Sequence, residues 1–537
     1  MFRMKKITLL VLVCLFTISM LAACTGQQTT TTGTTAGTTA GTTAGTTQSG
    51  TTAATTTEPP KPVIPFAETF EFSILHGIHP PATESNQIQD LIQELTNTKI
   101  TYTMVPSSGF MDKASTTLAS GTLPDLVYFM WQSVVPSEWI AQGAIIPIET
   151  LLDEYGENIT KIYYQDDILP YVRHSDGHIY SVNNFCSFTY STSVMIRHDW
   201  LEKLDLTPPA TVEQWIEVMK AFRDEDPNET GQNDTIPWIG NNNQWFNAYG
   251  ITGLYTPVDG ELVIRYKHPN YKAAIDNLIY LYNEKLVDPE YITRSTNNTA
   301  MDELLITSKA GAVERTGNEA TRLTLMLQEV TPEGILGYIE PIQGPGGRWI
   351  QARTPIGTAG AVTIQAGDPE KLIQYFNWLW SEEGILTTNF GEEGVHHKIV
   401  DGKPVLLPPY DAGYDEARKA GMVANWTPIY WSGDSFITRA MSGKTPETMN
   451  EVERLAYDCY TRNGDFSYYA VPGAVTATQS AKDYKADVLD PLSDMEQKVI
   501  MGAASYDDLL ALMKVVEKEL DQILDEVNTA YKAAVGN

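Results

Sequence analysis

Residues 70–75 read FEFSIL, residues 100–105 read ITYTMV and residues 118–129 read LASGTLPDLVYF. The order of these segments decides the fold. Phe70–Leu75 alternates apolar and polar side chains and is rich in β-formers, which predicts a strand. Ile88, Leu91, Ile92 and Leu95 then recur at helical spacing and predict a helix over Thr83–Thr96. Ile100–Val105 predicts the next strand and Met111–Leu118 the next helix. Strands alternating with helices call for an α/β fold with parallel sheets covered on both faces. The body, about residues 66–537, is 42% hydrophobic by the composition of the whole chain. It is too long for one core and predicts two lobes.

Ahead of the body lies an export signal. Arg3, Lys5 and Lys6 precede the apolar run Ile7–Met20, and small residues follow at Ala22 and Ala23. The run is shorter than a membrane-spanning helix, and no later stretch is long enough either. Leu21-Ala22-Ala23-Cys24 resembles the bacterial lipobox, which implies cleavage before Cys24 and lipid on its sulfur, with palmitate among the acyl chains expected. Residues 24–62, nearly all Thr, Gly and Ala before a proline-rich end, predict a disordered tether. The location expected is extracytoplasmic, with the membrane engaged through lipid alone.

The chain carries 37 basic and 67 acidic residues. Loss of the signal removes three of the basic ones, for a net charge of −33. Such a surface repels nucleic acid and anionic lipid, and favours a neutral ligand or a local basic pocket. Cys14 leaves with the signal and Cys24 is committed to lipid, so Cys186 and Cys459 remain, with no metal spacing; buried thiols or one disulfide are both open.

LASGTLPDLVYF, AQGAIIPIETLLDEYGENITK, DGHIYSVN, IRHDWLEKLDLTPPATVEQWIEVMKAFRDEDPN, LYNEKLVDPEY and GEEGVHHKIVDGKPV follow one another in this order, within a resemblance that covers most of the chain from about residue 70 to 410. This ordered set resembles extracellular solute-binding protein family 1, in its large lipoprotein subgroup of carbohydrate ABC importers. The resemblance implies a two-lobe periplasmic-binding-protein-like clamp. Each lobe would be a mostly parallel sheet flanked by helices, joined to the other by crossing hinge segments. It implies a first lobe from 66–188 and 353–410 and a second from 189–352 and 411–537, after a signal at 1–23. It further implies an oligosaccharide ligand, importer permease subunits as partners and a monomeric state.

Thr211 and Gln214 have the spacing of a capping box ahead of an apolar helix face. After that helix, Asp226, Asn228, Thr230, Gln232 and Asp234 place oxygen-bearing side chains at positions 1, 3, 5, 7 and 9 of an EF-hand-type loop, with Gly231 at position 6. Some relatives in the family bind calcium at a similar loop. Pro237 stands where a bidentate glutamate belongs, and Thr235 where the family has an acid. No cofactor is required; a structural Ca2+ and a bare Asx turn are both open readings.

Aromatic rings beside carboxamides suit sugars, because rings cover the apolar faces and amides bond the hydroxyls. The ligand-binding candidates are Trp131, Trp238, Trp245, Trp349, Trp426, Tyr430 and Trp431, with Arg348 as the polar contact. The sequence contains no GxSxG elbow and no HExxH helix. His76, His396 and His397 lack companions at ligand spacing and predict satisfied histidines. The expected protein is a binding module and not an enzyme. A peptide-binding lipoprotein and a surface glycoside hydrolase or lyase are the alternatives.

Overall fold

The structure is a computed structural model. It describes residues 63–78, 86–106, 109–129, 134–165, 167–186, 192–294, 298–316, 319–348, 352–412, 420–422, 430–431, 446–466 and 468–535. Residues 60–537 form one compact unit. Cys24, the tether, Trp131, Trp349 and Trp426 lie outside the described residues.

In chain order the first strands are β1 (Phe70–Ile78), β2 (Thr98–Pro106), β3 (Leu126–Phe129), β4 (Val182–Cys186), β5 (Thr192–Arg197) and β6 (Ile236–Ile239). The hairpin β7 (Tyr255–Val258) and β8 (Glu261–Ile264) precedes β9 (Ala310–Thr316) and β10 (Leu336–Ile339). Next come the short hairpin β11 (Gln343–Gly344) and β12 (Gly347–Arg348), then β13 (Ala352–Arg353) and β14 (Ile356–Val362). The hairpin β15 (His397–Val400) and β16 (Lys403–Leu406), β17 (Tyr430–Trp431) and β18 (Tyr468–Tyr469) complete the set.

Two sheets define two lobes. The first has six strands in the order β17-β4-β14-β3-β1-β2, and the second has four in the order β10-β5-β9-β6. Side chains alternate between faces, as the pleat dictates. Phe70, Phe72 and Ile74 of β1 and Leu126 and Tyr128 of β3 enter one helical layer of lobe 1. Leu75, Val127 and Phe129 enter the other. Lobe 2 repeats the pattern, with Val194, Ile196, Trp238 and Ala312 on one face and Met195, Ile239 and Val313 on the other.

Each sheet is mixed. In lobe 1, β14 runs against its neighbours β3 and β4. In lobe 2, β5 runs against β9 and β10. The cause is connectivity: β5 has just arrived from lobe 1 and β14 follows the return from lobe 2, so each runs away from the junction while the others run towards it. The first lobe also extends further along the chain than expected. Ala420 and Met422 are buried in its core, and β17 pairs with β4 at its sheet edge. Residues 420–422 and β17 therefore belong to lobe 1.

Local signals hold these elements. Thr211 and Gln214 form both halves of the capping box on the helix Val212–Asp224. Asp368 caps the helix Pro369–Leu379 by accepting the Lys371 N–H. The C-terminal helices, Tyr506–Val515 and Glu517–Val535, bury Leu509, Val516, Leu520, Ile523 and Val527 in the lobe 2 core. Cys459 is buried in the second layer of that lobe. No helix among the described residues is long and apolar enough to cross a membrane.

Candidate functional site

The crossings locate the cleft. The chain leaves lobe 1 at the C-terminal end of β4 and enters lobe 2 at the N-terminal end of β5; it returns past β13 into the N-terminal end of β14. The C-terminal ends of β1, β2, β3, β4 and β17 therefore meet the C-terminal ends of β6, β9 and β10. Ligands of open α/β sheets bind at such strand ends.

On the lobe 1 edge a row of polar side chains is buried just behind the strand ends. His76 stacks on Tyr128, with ring centroids 4.9 Å apart and 15° between planes. Tyr128 Oη donates to Asn184 Oδ1. Asn183 donates its N–H to Tyr163 Oη at 2.6 Å and its amide to the Gly357 carbonyl at 3.0 Å. Burial pushes the Tyr163 phenol well above its ordinary pKa, so it stays a neutral partner. The sequence predicted only a satisfied His76. Its place in a polar row follows from strand register, which pairs His76 with Tyr128.

On the lobe 2 edge, β6 ends at Ile239 and is followed by Gly240, Asn241 and Asn242. β10 ends at Ile339 and is followed by Glu340. Arg348, the predicted polar contact, is ion-paired to Glu340 and 22% exposed. Arg462 reaches the other oxygen of Glu340 at 2.5 Å.

Two predicted stacking platforms are corrected. Trp238 and Trp245 are fully buried. With Trp215 they form an edge-to-face cluster, with centroids 5.4–6.3 Å apart. Trp238 Nε1 donates to the Asn241 carbonyl at 3.3 Å. These indoles are core, because β6 is covered on both faces and the helix Asn243–Ala248 folds back over it. The backbone of Tyr430 and Trp431 forms β17, which pairs with Phe185 and Cys186 at the C-terminal end of β4.

The loop after Asp224 wraps its oxygens around one point. Thr230 Oγ1 lies 3.4 Å from Asp226 Oδ1, 3.5 Å from Asn228 Oδ1, 3.3 Å from the Gln232 carbonyl and 3.0 Å from Asp234 Oδ1. Those are oxygens of positions 1, 3, 5, 7 and 9, with position 7 contributing its backbone carbonyl. Asp226 also accepts the N–H groups of Thr230 and Gly231, and Gly231 takes a φ of +73°. The Asn228 amide, which outweighs the opposing effect of burial, and then the Thr230 hydroxyl hold the Asp234 carboxyl below its ordinary pKa. Pro237 is buried in β6 and supplies no twelfth-position oxygen. Thr235 donates to the Phe222 carbonyl at 2.6 Å and anchors the loop to its helix. Two carboxylates with amide, hydroxyl and carbonyl oxygens make a hard donor set, which fits Ca2+ and not a thiophilic metal.

A groove of about 570 Å³ opens elsewhere, beside Arg197, Asp199, Lys203, Asn228 and Glu333. It lies at the C-terminal end of β5, which runs away from the cleft, so it faces the far side of lobe 2. His76, His396 and His397 are all buried. His396 contacts Gln87 Oε1 at 2.8 Å and His397 the Phe390 carbonyl at 3.1 Å. Among the described residues no group of three or more His, Cys, Asp and Glu is placed to hold a metal.

Two α/β lobes that meet at their strand ends across crossing segments define a two-lobe ligand clamp. The chain belongs to the bacterial extracellular solute-binding protein family, whose sequence model matches residues 80–386. It is 23% identical over 422 residues to lipoprotein LipO of Bacillus subtilis, covering 72% of this chain and 80% of that one. It is 24% identical over 486 residues to the polygalacturonan/rhamnogalacturonan-binding protein YtcQ of the same organism, covering 86% and 91%. Among solved structures, the alginate-binding protein AlgQ2 without calcium ion superposes with a TM-score of 0.70 at 20% identity, over 88% of this chain and all of that one. The substrate-binding protein FusA of Streptococcus pneumoniae in complex with kestose superposes with a TM-score of 0.66 at 21% identity, over 87% and 100%.

Proposed function

We propose that this protein captures an oligosaccharide between its lobes and delivers it, chemically unchanged, to the permease subunits of an ABC importer. The observation that carries the reading is the cleft itself, a junction of strand ends in a chain whose relatives are described as binding fructo-oligosaccharide, galacturonan and alginate. Closure follows from contacts that a sugar makes only when both lobes reach it. Trp131, Trp349, Trp426, Tyr430 and Trp431 are the ring surfaces proposed for the sugar. Cys24 carries the lipid anchor that keeps the monomeric body near its permease, and the loop at Asp226–Asp234 holds a structural Ca2+. The oxygen set around Thr230 supports the calcium assignment, as does the EF-hand that one FusA structure is described as altering.

The test is a thermal-shift screen of the full-length chain against neutral oligosaccharides, acidic oligosaccharides and peptides, with the recovered sugars sized by chromatography. A rise in melting temperature with an oligosaccharide that is recovered intact is expected. A rise with peptides alone, or cleaved sugar, overturns the proposal. Cys24→Ser is expected to abolish palmitate labelling and release the chain from membranes.

A further inference from the structure

Where β10 hands the chain to the crossing segments, two arginines share one carboxylate. Arg348 pairs with one oxygen of Glu340 and Arg462 with the other. Among the described residues, neither guanidinium has a second carboxylate within ion-pair distance. The cluster thus keeps one net positive charge in a chain that is strongly acidic overall.

The cluster is built, not frayed. The Arg348 guanidinium lies 5.8 Å from the centroid of Phe466 and the Arg462 guanidinium 5.3 Å from that of Tyr338. Rings in those places fix the planes of both guanidinium groups. Arg348 is set by its strand, since β12 pairs back onto β11. Arg462 ends the helix Glu451–Arg462. Two donors there lack a partner among the described residues: Arg348 Nε–H, and the hydroxyl of Tyr338, a residue only 6% exposed. Exposure of 22% at Arg348 and 48% at Arg462 leaves both reachable. Among the described residues Glu340 is thus the one carboxylate on both forks. A planar anion of two oxygens is the group that such forks fit.

We infer that Arg348 and Arg462 form a carboxylate-binding subsite at the lobe 2 edge of the cleft, and that the ligand is an acidic, uronate-bearing oligosaccharide. This rests on the proposed sugar-binding function and narrows it. Glu340 orients both arginines and competes with the ligand for them. The remaining surface, strongly negative, would repel such a sugar; the subsite offsets that repulsion at the one point where the sugar must dock.

The experiment titrates the full-length chain calorimetrically with trigalacturonate and with its fully methyl-esterified form, which keeps the skeleton and removes the charges. The wild type is expected to bind the acid at least about tenfold more tightly than the ester. Arg348→Gln and Arg462→Gln should each weaken acid binding by about tenfold to a hundredfold and ester binding by much less, so that the acid preference collapses. Glu340→Gln should bind the acid as tightly as the wild type or more tightly, which a merely structural triad would not do. Equal binding of acid and ester by the wild type overturns the inference, as does an unchanged acid preference in Arg462→Gln or weakened acid binding in Glu340→Gln. Tight binding of kestose with none of trigalacturonate overturns it while leaving the sugar-binding function standing. Binding of no oligosaccharide at all overturns both.

Discussion

Asp125 holds Ser73 twice on a single oxygen: Oδ2 accepts the Ser73 N–H at 2.8 Å and the Ser73 hydroxyl at 2.6 Å. Its other oxygen accepts the Gly367 N–H at 2.9 Å, and the Asp125 N–H donates back to Ser73 Oγ at 3.1 Å. One carboxylate thus ties β1, the entry to β3 and the turn after β14. Burial alone would raise its pKa, but the hydrogen bonds from Ser73 and Gly367 outweigh it and hold the carboxyl below its ordinary value. A group depressed in the folded state contributes stability above its unfolded pKa of about 3.9 and loses it as pH falls through the folded value. Asp125→Asn should cost about 1–2 kcal/mol at pH 7, and its penalty should shrink as pH falls below about 4. Denaturant melts across pH check this; a penalty constant with pH would refute it.

The tryptophans separate into two groups. Trp238→Ala or Trp245→Ala empties part of the three-indole core and should cost about 3–5 kcal/mol. Trp431→Ala, at the edge strand on the cleft, should leave the urea midpoint nearly unchanged and weaken oligosaccharide binding about tenfold or more. Unchanged affinity in Trp431→Ala would remove that ring from the site.

Calcium should act on stability. With two carboxylates and no bidentate twelfth ligand, the proposed site should be a weak one, of about 10⁻⁴–10⁻³ M. At 10 mM Ca2+, mass action then adds about 1–3 kcal/mol. Asp234→Asn should abolish that increment, and Mg2+ should give a smaller one. A melting temperature indifferent to Ca2+ would count against the assignment.

Glu496, on the helix Asp490–Ile500, fastens that helix to the first layer of lobe 2. It is 1% exposed, accepts from Tyr271 Oη at 2.8 Å and pairs with Arg265 at 3.2 Å. Burial first, then Glu496, pushes the Tyr271 phenol far above its ordinary pKa, so it donates at every accessible pH. Glu496→Ala leaves Arg265 20% exposed and uncompensated, and should cost about 3–5 kcal/mol. Glu496→Leu with Arg265→Leu should recover most of that loss. A double mutant as unstable as the single would show that the pair, not the uncompensated charge, carries the stability.

The α/β alternation, the capping box at Thr211 and the calcium-type loop were legible because each is local: period, spacing and turn chemistry lie within a dozen residues. The indoles were misleading for the same reason. Trp238 and Trp245 stand among asparagines in the chain, but burial is decided by the sheet and by Trp215, which arrive from elsewhere. Asp125 sits inside a recognisable motif, yet its partners Ser73 and Gly367 are distant in sequence. The Arg348–Glu340–Arg462 cluster likewise joins a hairpin, a strand end and a helix end that no window of sequence contains.

β14 lies in the middle of the first sheet, between β4 and β3. It is nonetheless translated only after the whole first pass through lobe 2. Until residues 356–362 emerge, β1, β2 and β3 have no strand pairing that reaches β4, and no contiguous fragment of the gene encodes either half. A chain threaded outward from its N-terminus therefore cannot finish its leading lobe early. Such tardy closure keeps the leading lobe pliable for most of synthesis, and commits it to shape only once the chain has passed through both halves.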